Sequence, residues 1–236
     1  MPVVFERDGA VGLITIDRPP VNAYDATLHA ELAQAWSAAA ADSDARVIIL
    51  QARGDHFCAG ADRVGPGEKP LNSVSSVPPW DELTMIRNLP KPTIAAVQGG
   101  CVGGGQRFVF PCDLIFCSED AFFCDPLVSF GIGGIQAPVH AWLYGERLAK
   151  EMLFSGMRLP ASRLYAMGAV NRLFPASSLA AETVAFARQI AEGDPRALRQ
   201  AKRSVNTTMD MMGEHSVATR FAQAMEDTGW GGISPT

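Results

Sequence analysis

The chain has 236 residues, of which 47% are hydrophobic and 19% are charged, so it can bury the core of one large domain. Its 25 acidic and 20 basic residues give a net charge of −5, and no basic stripe is visible, which argues against nucleic acid as a partner. No apolar stretch reaches the roughly 18 residues of a membrane span, and the N-terminus does not resemble a signal peptide. We therefore expect a cytoplasmic protein with no membrane partner.

The cysteines argue against both a disulfide framework and a metal site. They are five in number and form no Cys-x-x-Cys pair: Cys58, Cys101, Cys112, Cys117 and Cys124. We expect them to be reduced and mostly buried.

The first part of the chain alternates between strand and helix patterns. "VVFERDG" and "AVGLITIDR" predict two strands joined by a turn at Asp8-Gly9. "DATLHAELAQAWSAAAADS" predicts a helix capped by Asp25. "RVIILQAR" and "KPTIAAVQG" predict buried strands, and residues 64–79 between them predict a loop.

The later part of the chain is mainly helical. "DLIFCSE" and "AFFCD" predict two more strands, and helical spacing dominates after Pro138, with a short strand at "AVNRLF". The last predicted helix is "EHSVATRFAQAMED". The pattern predicts an α/β core over residues 1–175 and a C-terminal helical region over residues 176–236.

A glycine-rich stretch, "QGGCVGGGQRFVF" at residues 98–110, indicates that a ligand approaches backbone N–H groups. A dinucleotide motif would need a glycine at Phe108, and a phosphate-binding P-loop would need Lys and Ser or Thr where Gln106 and Arg107 stand. No Gly-x-Ser-x-Gly motif is present either. A cradle for a developing oxyanion and close packing of a helix on a strand both stay open.

A second loop has similar properties. "GDHFCAGAD" follows the strand "RVIILQAR" as "QGGCVGGG" follows "PTIAAV", so each loop can offer a backbone N–H to one oxygen. With "ITIDRPPVNA" and "LFSGMRLPASRLYAMGAVNRLFP", these loops resemble the crotonase, or enoyl-CoA hydratase/isomerase, family over most of the chain. The resemblance implies a spiral of ββα units with a C-terminal helical region that serves assembly into a homotrimer or hexamer.

The resemblance also implies an acyl-CoA substrate, whose enolate oxygen would be held by the backbone N–H groups of Ala61 and Gly104. Coenzyme A enters as part of the substrate, so no separate cofactor and no metal is expected. Arg18 is a candidate for the pyrophosphate. The residues implied along the substrate path are Ala23, Ala59, Asp62, Arg63, Gly103, Arg107 and Leu127.

The sequence departs from the family at both catalytic glutamates. By resemblance their positions hold Arg107 and Leu127, neither of which can act as a base near neutral pH, so ordinary hydration is in doubt. Asp125 is two positions before Leu127 on a segment expected to be extended, so it would face the same cavity and serve as acid or base. Alternatively, it holds Arg107 or stabilises the turn at Pro126. A binding or carrier protein that has lost catalysis is the rival interpretation.

His140, Tyr144 and His56 are further polar residues for which the sequence predicts a position. His140 and Tyr144 lie one helical turn apart in "VHAWLYG" and would share a face, either toward the acyl chain or in the core. We expect His56, in "GDHFCAG", to be an exposed loop residue.

Overall fold

The computed structural model describes residues 2–62, 79–130 and 140–214. The predicted hairpin is confirmed: β1 (Val3–Asp8) and β2 (Val11–Ile16) pair antiparallel, and Gly9 in the turn has φ +60°. A left-handed turn residue of this kind favours glycine. Most of the loop predicted at residues 64–79, and nearly all of the last predicted helix, lie outside the described residues.

Among the described residues, the main sheet has six strands. Besides β1 and β2 they are β3 (Val47–Ala52), β4 (Thr93–Val97), β6 (Leu114–Ser118) and β9 (Arg172–Phe174). The order across the sheet is β1-β2-β3-β4-β6-β9, and from β2 onward every neighbouring pair is parallel. The central strands β3 and β4 are almost wholly buried, as their β-branched composition predicts.

A smaller sheet of three short strands holds the glycine-rich stretch. Its strands are β5 (Gly100–Val102), β7 (Phe122–Cys124) and β8 (Leu159–Pro160), with β7 in the middle. β5 runs parallel to β7, and β8 runs antiparallel to it. The glycine-rich stretch therefore begins as a strand, where we expected a loop directly after β4.

Helices cover both faces of the main sheet and extend beyond it. They are α1 (Ala26–Ala41), α2 (Pro79–Arg87), α3 (Gln106–Val109), α4 (His140–Ser155), α5 (Ala161–Ala166), α6 (Leu179–Ala191) and α7 (Pro195–Met211). The predicted cap of α1 is confirmed, because the Asp25 carboxylate accepts a hydrogen bond from the Leu28 N–H. Among the described residues, no helix is both long and apolar enough to cross a membrane.

The core has two parts, one on each face of the main sheet. The larger contains Trp36 and Leu32 of α1 with Ile14, Leu50 and residues from the smaller sheet. The second lies under α6. The predicted boundary near residue 175 stays a prediction, although α6, which follows it, packs directly on β3 and β4.

Charged side chains attach α7 to the rest of the molecule, and no residue of this helix is buried as a whole. Lys202 donates to the Asp113 carboxylate at 2.8 Å and to the Lys91 carbonyl at 3.0 Å, and its side chain is only 8% exposed. Arg87 of α2 contacts Asp210 of α7 at 3.1 Å. These contacts hold α7 against the edge where β4 and β6 begin.

We expect Lys202→Met to lower the free energy of unfolding by about 2 kcal/mol, because it removes charged hydrogen bonds from a nearly buried position. Chemical denaturation measures this change. The matched control is Lys150→Met, whose exposed i,i+4 pair with Glu146 should contribute less than about 0.5 kcal/mol. Equal effects of the two substitutions would contradict the anchoring role of Lys202.

Candidate active site

The two predicted ligand loops are hydrogen-bonded to each other through their backbones. They leave the carboxyl ends of β3 and β4, which are neighbours in the sheet. Three hydrogen bonds join them: Phe57 N–H to Gln98 O at 2.9 Å, Cys58 N–H to Gly100 O at 3.1 Å and Val102 N–H to Cys58 O at 2.9 Å. The loops therefore form one rigid unit.

Ala61 lies at the edge of this unit with its N–H directed away from the chain beside it. Its neighbours take the hydrogen bonds to Tyr24: the Tyr24 N–H donates to Gly60 O at 2.7 Å, and the Asp62 N–H donates to Tyr24 O at 2.7 Å. Successive peptide groups of extended backbone point to opposite sides, so the Ala61 N–H faces away from Tyr24.

Gly103–Gly105 form a tight 3-10 turn between β5 and α3. Gly103 has φ +49°, a left-handed conformation. A Cβ on Gly104 would lie 3.2 Å from Cδ1 of Tyr24, and one on Gly105 would lie 2.7 Å from Cβ of Cys58. Close packing, one of the two interpretations left open for these glycines, therefore applies at Gly105 and, less tightly, at Gly104.

Asp125 follows the smaller sheet directly beside this turn. Val102 pairs with Cys124 in the parallel register, and Gly103 and Asp125 are the residues that directly follow these two paired strand ends. Asp125 is only 3% exposed. Burial raises the pKa of its carboxyl to about 6, and the Leu127 N–H, 3.4 Å from Oδ1, opposes that rise.

The segment after β7 is not extended as we expected. Leu127 begins a second 3-10 turn, Leu127–Phe130, and is half-buried, whereas Asp125 is buried. The extended geometry on which we based a shared face for the two side chains is therefore absent from Leu127 onward, and the shared face stays a prediction. Asp125 is buried beside His140, whose Nε2 lies 3.5 Å from its Oδ2.

The expected shared face of His140 and Tyr144 is confirmed. Both are buried in α4, their rings are 6.0 Å apart, and the Phe110 ring packs edge-on against each. α4 changes direction directly after them, at Gly145 with φ +73°. Together these residues place an imidazole and a phenol beside Asp125.

His56 is not the exposed loop residue that we expected. It is half-buried, and its Nδ1 accepts a hydrogen bond from the Gly100 N–H at 3.0 Å. Its carbonyl accepts from the side-chain amide of Asn22 at 2.8 Å. His56 therefore fixes the start of β5, a role that no local pattern in the sequence indicates.

Several residues predicted along the substrate path are tied to one another. Arg18 donates to the Ala23 carbonyl at 2.6 Å and to the carboxylates of Asp25 at 2.8 Å and Asp62 at 2.7 Å. The Ala59 N–H donates to the Val21 carbonyl at 3.0 Å. Arg63 lies outside the described residues.

Arg107 is buried in α3, only 5% exposed, and Leu127 is half-buried. Burial lowers the pKa of the nearby His29, and the positive charge of Arg107 lowers it further. Both His29 and Arg107 are buried, and they are close enough for the charge of Arg107 to act on His29. The sequence analysis did not single out His29 or Tyr24, whose side chains are hydrogen-bonded to each other.

The cysteines are as expected: all five are free and buried. Burial raises the pKa of the Cys58 thiol to about 11 and the pKa of Cys101 well above its ordinary value. At neutral pH these thiols are protonated and do not serve as nucleophiles.

Known proteins are similar to this chain in both sequence and fold. Residues 6–228 match the enoyl-CoA hydratase/isomerase family model, and the Mycobacterium tuberculosis protein EchA13 is 35% identical over 232 residues, which cover 87% of this chain and 73% of EchA13. The chain belongs to the enoyl-CoA hydratase/isomerase family.

Two solved structures extend the comparison. A probable enoyl-CoA hydratase from Mycobacterium thermoresistibile is 41% identical, with a TM-score of 0.87 and 94% of both chains covered. One from Mycobacterium smegmatis is 39% identical, with a TM-score of 0.88 and 99% of both chains covered. The predicted crotonase-type fold is thereby confirmed.

We expect Gly105→Ala to lower the free energy of unfolding by about 2 kcal/mol, because the new methyl group would collide with the Cβ of Cys58. Thermal and chemical denaturation measure the loss. Gly104→Ala is the matched control, since it meets the edge of an aromatic side chain and should destabilise less. A Gly105→Ala protein as stable as the parent would mean that the two loops are not packed as described.

Proposed function

We propose that this chain is an enzyme that acts on an acyl-CoA thioester through an enolate. The observation that carries the proposal is a buried carboxyl, Asp125, which follows the strand paired with β5, while the glycine turn that follows β5 is hydrogen-bonded through its strand to the loop that contains Ala61. Family membership supports the substrate class. Coenzyme A is part of the substrate, and no separate cofactor or metal is proposed.

The two backbone N–H groups of Ala61 and Gly104 would bind the thioester oxygen. Removing a proton from the α-carbon, or adding a nucleophile to the β-carbon of an enoyl group, moves an electron pair onto that oxygen. Donors already in place stabilise the charge as it develops, by about 3 kcal/mol each in other oxyanion holes. Backbone groups suit this role because the hydrogen bonds that join the two loops fix them.

Asp125 would carry the proton. In the hydration direction it takes a proton from water as the water oxygen bonds to the β-carbon, and it then returns that proton to the α-carbon as the enolate collapses. Its elevated pKa, about 6, suits a group that must both accept and release a proton near neutral pH. His140 at 3.5 Å would hold the carboxyl in place.

We propose further that Arg107 and Leu127 line the acyl pocket in place of the two family glutamates, which leaves Asp125 to act without a second carboxylate. The rest of the substrate path would be Ala23, Ala59, Asp62, Arg63 and Gly103. We also propose a homotrimer or hexamer. The exposed apolar residues near the end of α7, Val205, Met211 and Met212, support a self-association surface there.

We expect Asp125→Asn to lower turnover of 2-butenoyl-CoA at least about 100-fold while the affinity for butyryl-CoA changes less than about twofold, because the amide keeps the shape but cannot accept the proton. Loss of the conjugated-thioester absorbance measures turnover, and calorimetry measures binding. The control, Asp120→Asn, alters an exposed turn aspartate and should change neither quantity.

Three outcomes separate the interpretations. Turnover lost with binding kept supports the proposal. Unchanged turnover in Asp125→Asn removes Asp125 from the mechanism. Tight acyl-CoA binding without product from the parent protein, at any pH, identifies a binding or carrier protein instead.

The pH dependence of kcat/KM should follow the Asp125 carboxyl. Its pKa is raised to about 6, so the base form is scarce below that pH and dominant above it. We expect hydration to rise about tenfold per pH unit below pH 6 and to level off above it. A profile that is flat from pH 5 to pH 7 would contradict this assignment.

A further inference from the structure

Tyr24 contacts both segments that carry the proposed donors. Its backbone N–H and carbonyl bond to Gly60 and Asp62, the residues on either side of Ala61, at 2.7 Å each. Its ring lies against Gly104, where a Cβ would meet the ring carbons Cδ1, Cγ and Cε1 at 3.2–3.7 Å. One residue thus spans the space between the two N–H groups.

The Tyr24 ring is itself held from behind. Its hydroxyl is 2.9 Å from Nδ1 of His29, and both residues are buried, at 2% and 5% exposure. The ring centroid of Phe108, in α3 after the glycine turn, is 5.5 Å from that of Tyr24. The ring therefore has contacts on its face and at its tip.

We propose that Tyr24, held by its hydrogen bond to His29, is a positioning residue that sets the spacing between the Ala61 and Gly104 N–H groups. This inference rests on the proposed function. Neither side chain would touch the substrate; their effect would pass through the backbone of the two loops.

The physical reason is the short range of hydrogen bonds. An oxyanion needs donors within about 2.7–3.1 Å, and a displacement of about 1 Å in a catalytic group can lower the rate by about 100-fold. The Tyr24 backbone holds the Ala61 side of the site, and its ring packs against Gly104, so that it adds to the hydrogen bonds that join the two loops. The hydroxyl determines the position of the ring because it is the only polar atom at the ring's far end.

The state of His29 suits this role. Burial, and then the charge of Arg107, lower the pKa of His29, so its imidazole is neutral at pH 7. A neutral ring can accept the hydroxyl proton at Nδ1 while its own proton lies on Nε2. The arrangement holds the ring without placing a second positive charge behind the turn.

A double-mutant cycle tests the coupling. We expect Tyr24→Phe and His29→Leu each to lower kcat for 2-butenoyl-CoA about tenfold, with KM changed less than about twofold, because the donors shift but binding contacts remain. The double variant should lose no more than either single variant, since all three lack the same hydrogen bond. His29→Asn keeps an acceptor near the position of Nδ1 and should restore most of the rate.

A spectroscopic measurement reports on the donors directly. Butyryl-CoA labelled with ¹³C at its carbonyl should show a lower infrared carbonyl frequency when bound to the parent protein, and a smaller lowering with Tyr24→Phe. Loss of fold stability alone would not change that frequency in the folded, ligand-bound protein. Tyr165→Phe, at a half-exposed position, is the matched control and should leave the frequency and kcat unchanged.

The outcomes distinguish this inference from the function it rests on. A parent protein that neither binds butyryl-CoA nor consumes 2-butenoyl-CoA overturns the proposed function itself. An active parent whose Tyr24→Phe variant keeps its kcat and carbonyl frequency overturns only the role of Tyr24. Effects of Tyr24→Phe and His29→Leu that multiply would likewise show that the two side chains do not act as a pair.

Discussion

The backbone pairing between residues 57–58 and residues 98–102 is the constraint on which the site depends. Each loop follows a different strand, and without this pairing neither would have a fixed place relative to the other. Three hydrogen bonds align them, and Gly105 then packs on Cys58 where any larger residue would collide. The positions of the glycine turn and of Ala61 are consequences of strand-like pairing beyond the end of the main sheet.

Burial of the ionisable groups near the two paired loops determines which of them can take part in proton transfer. Asp125 is buried away from water, and the imidazole of His140 lies 3.5 Å from its carboxylate. A carboxyl in such surroundings holds its proton more tightly than in water, which brings its pKa close to neutral pH. Burial also raises the pKa of the Cys58 and Cys101 thiols, and there the result is that the thiols stay protonated and unreactive.

Local patterns predicted those parts of the fold that local forces determine. The Asp8-Gly9 turn, the Asp25 cap and the buried parallel strands were all readable from the sequence. β5 was not, because a three-residue strand that starts with glycine has little strand propensity of its own and forms through pairing with β7. Two other features also arise from contacts between segments that are distant in the sequence: the burial of Asp125 beside α4 and the hydrogen bond that His56 accepts. The hydrophobic periodicity of a sequence carries no information on such contacts.

The side chains around the glycine turn favour a carbonyl oxygen over a phosphate as its ligand. The turn lies against the buried ring of Tyr24, on which the Phe108 ring packs, and a phosphate would have to bring a permanent charge beside these rings at a desolvation cost. A thioester oxygen enters neutral and becomes negative only as the reaction proceeds. If the turn binds that oxygen, as we propose, the same aromatic side chains that penalise a permanent anion would strengthen hydrogen bonds to a transient one and so favour the transition state over the ground state.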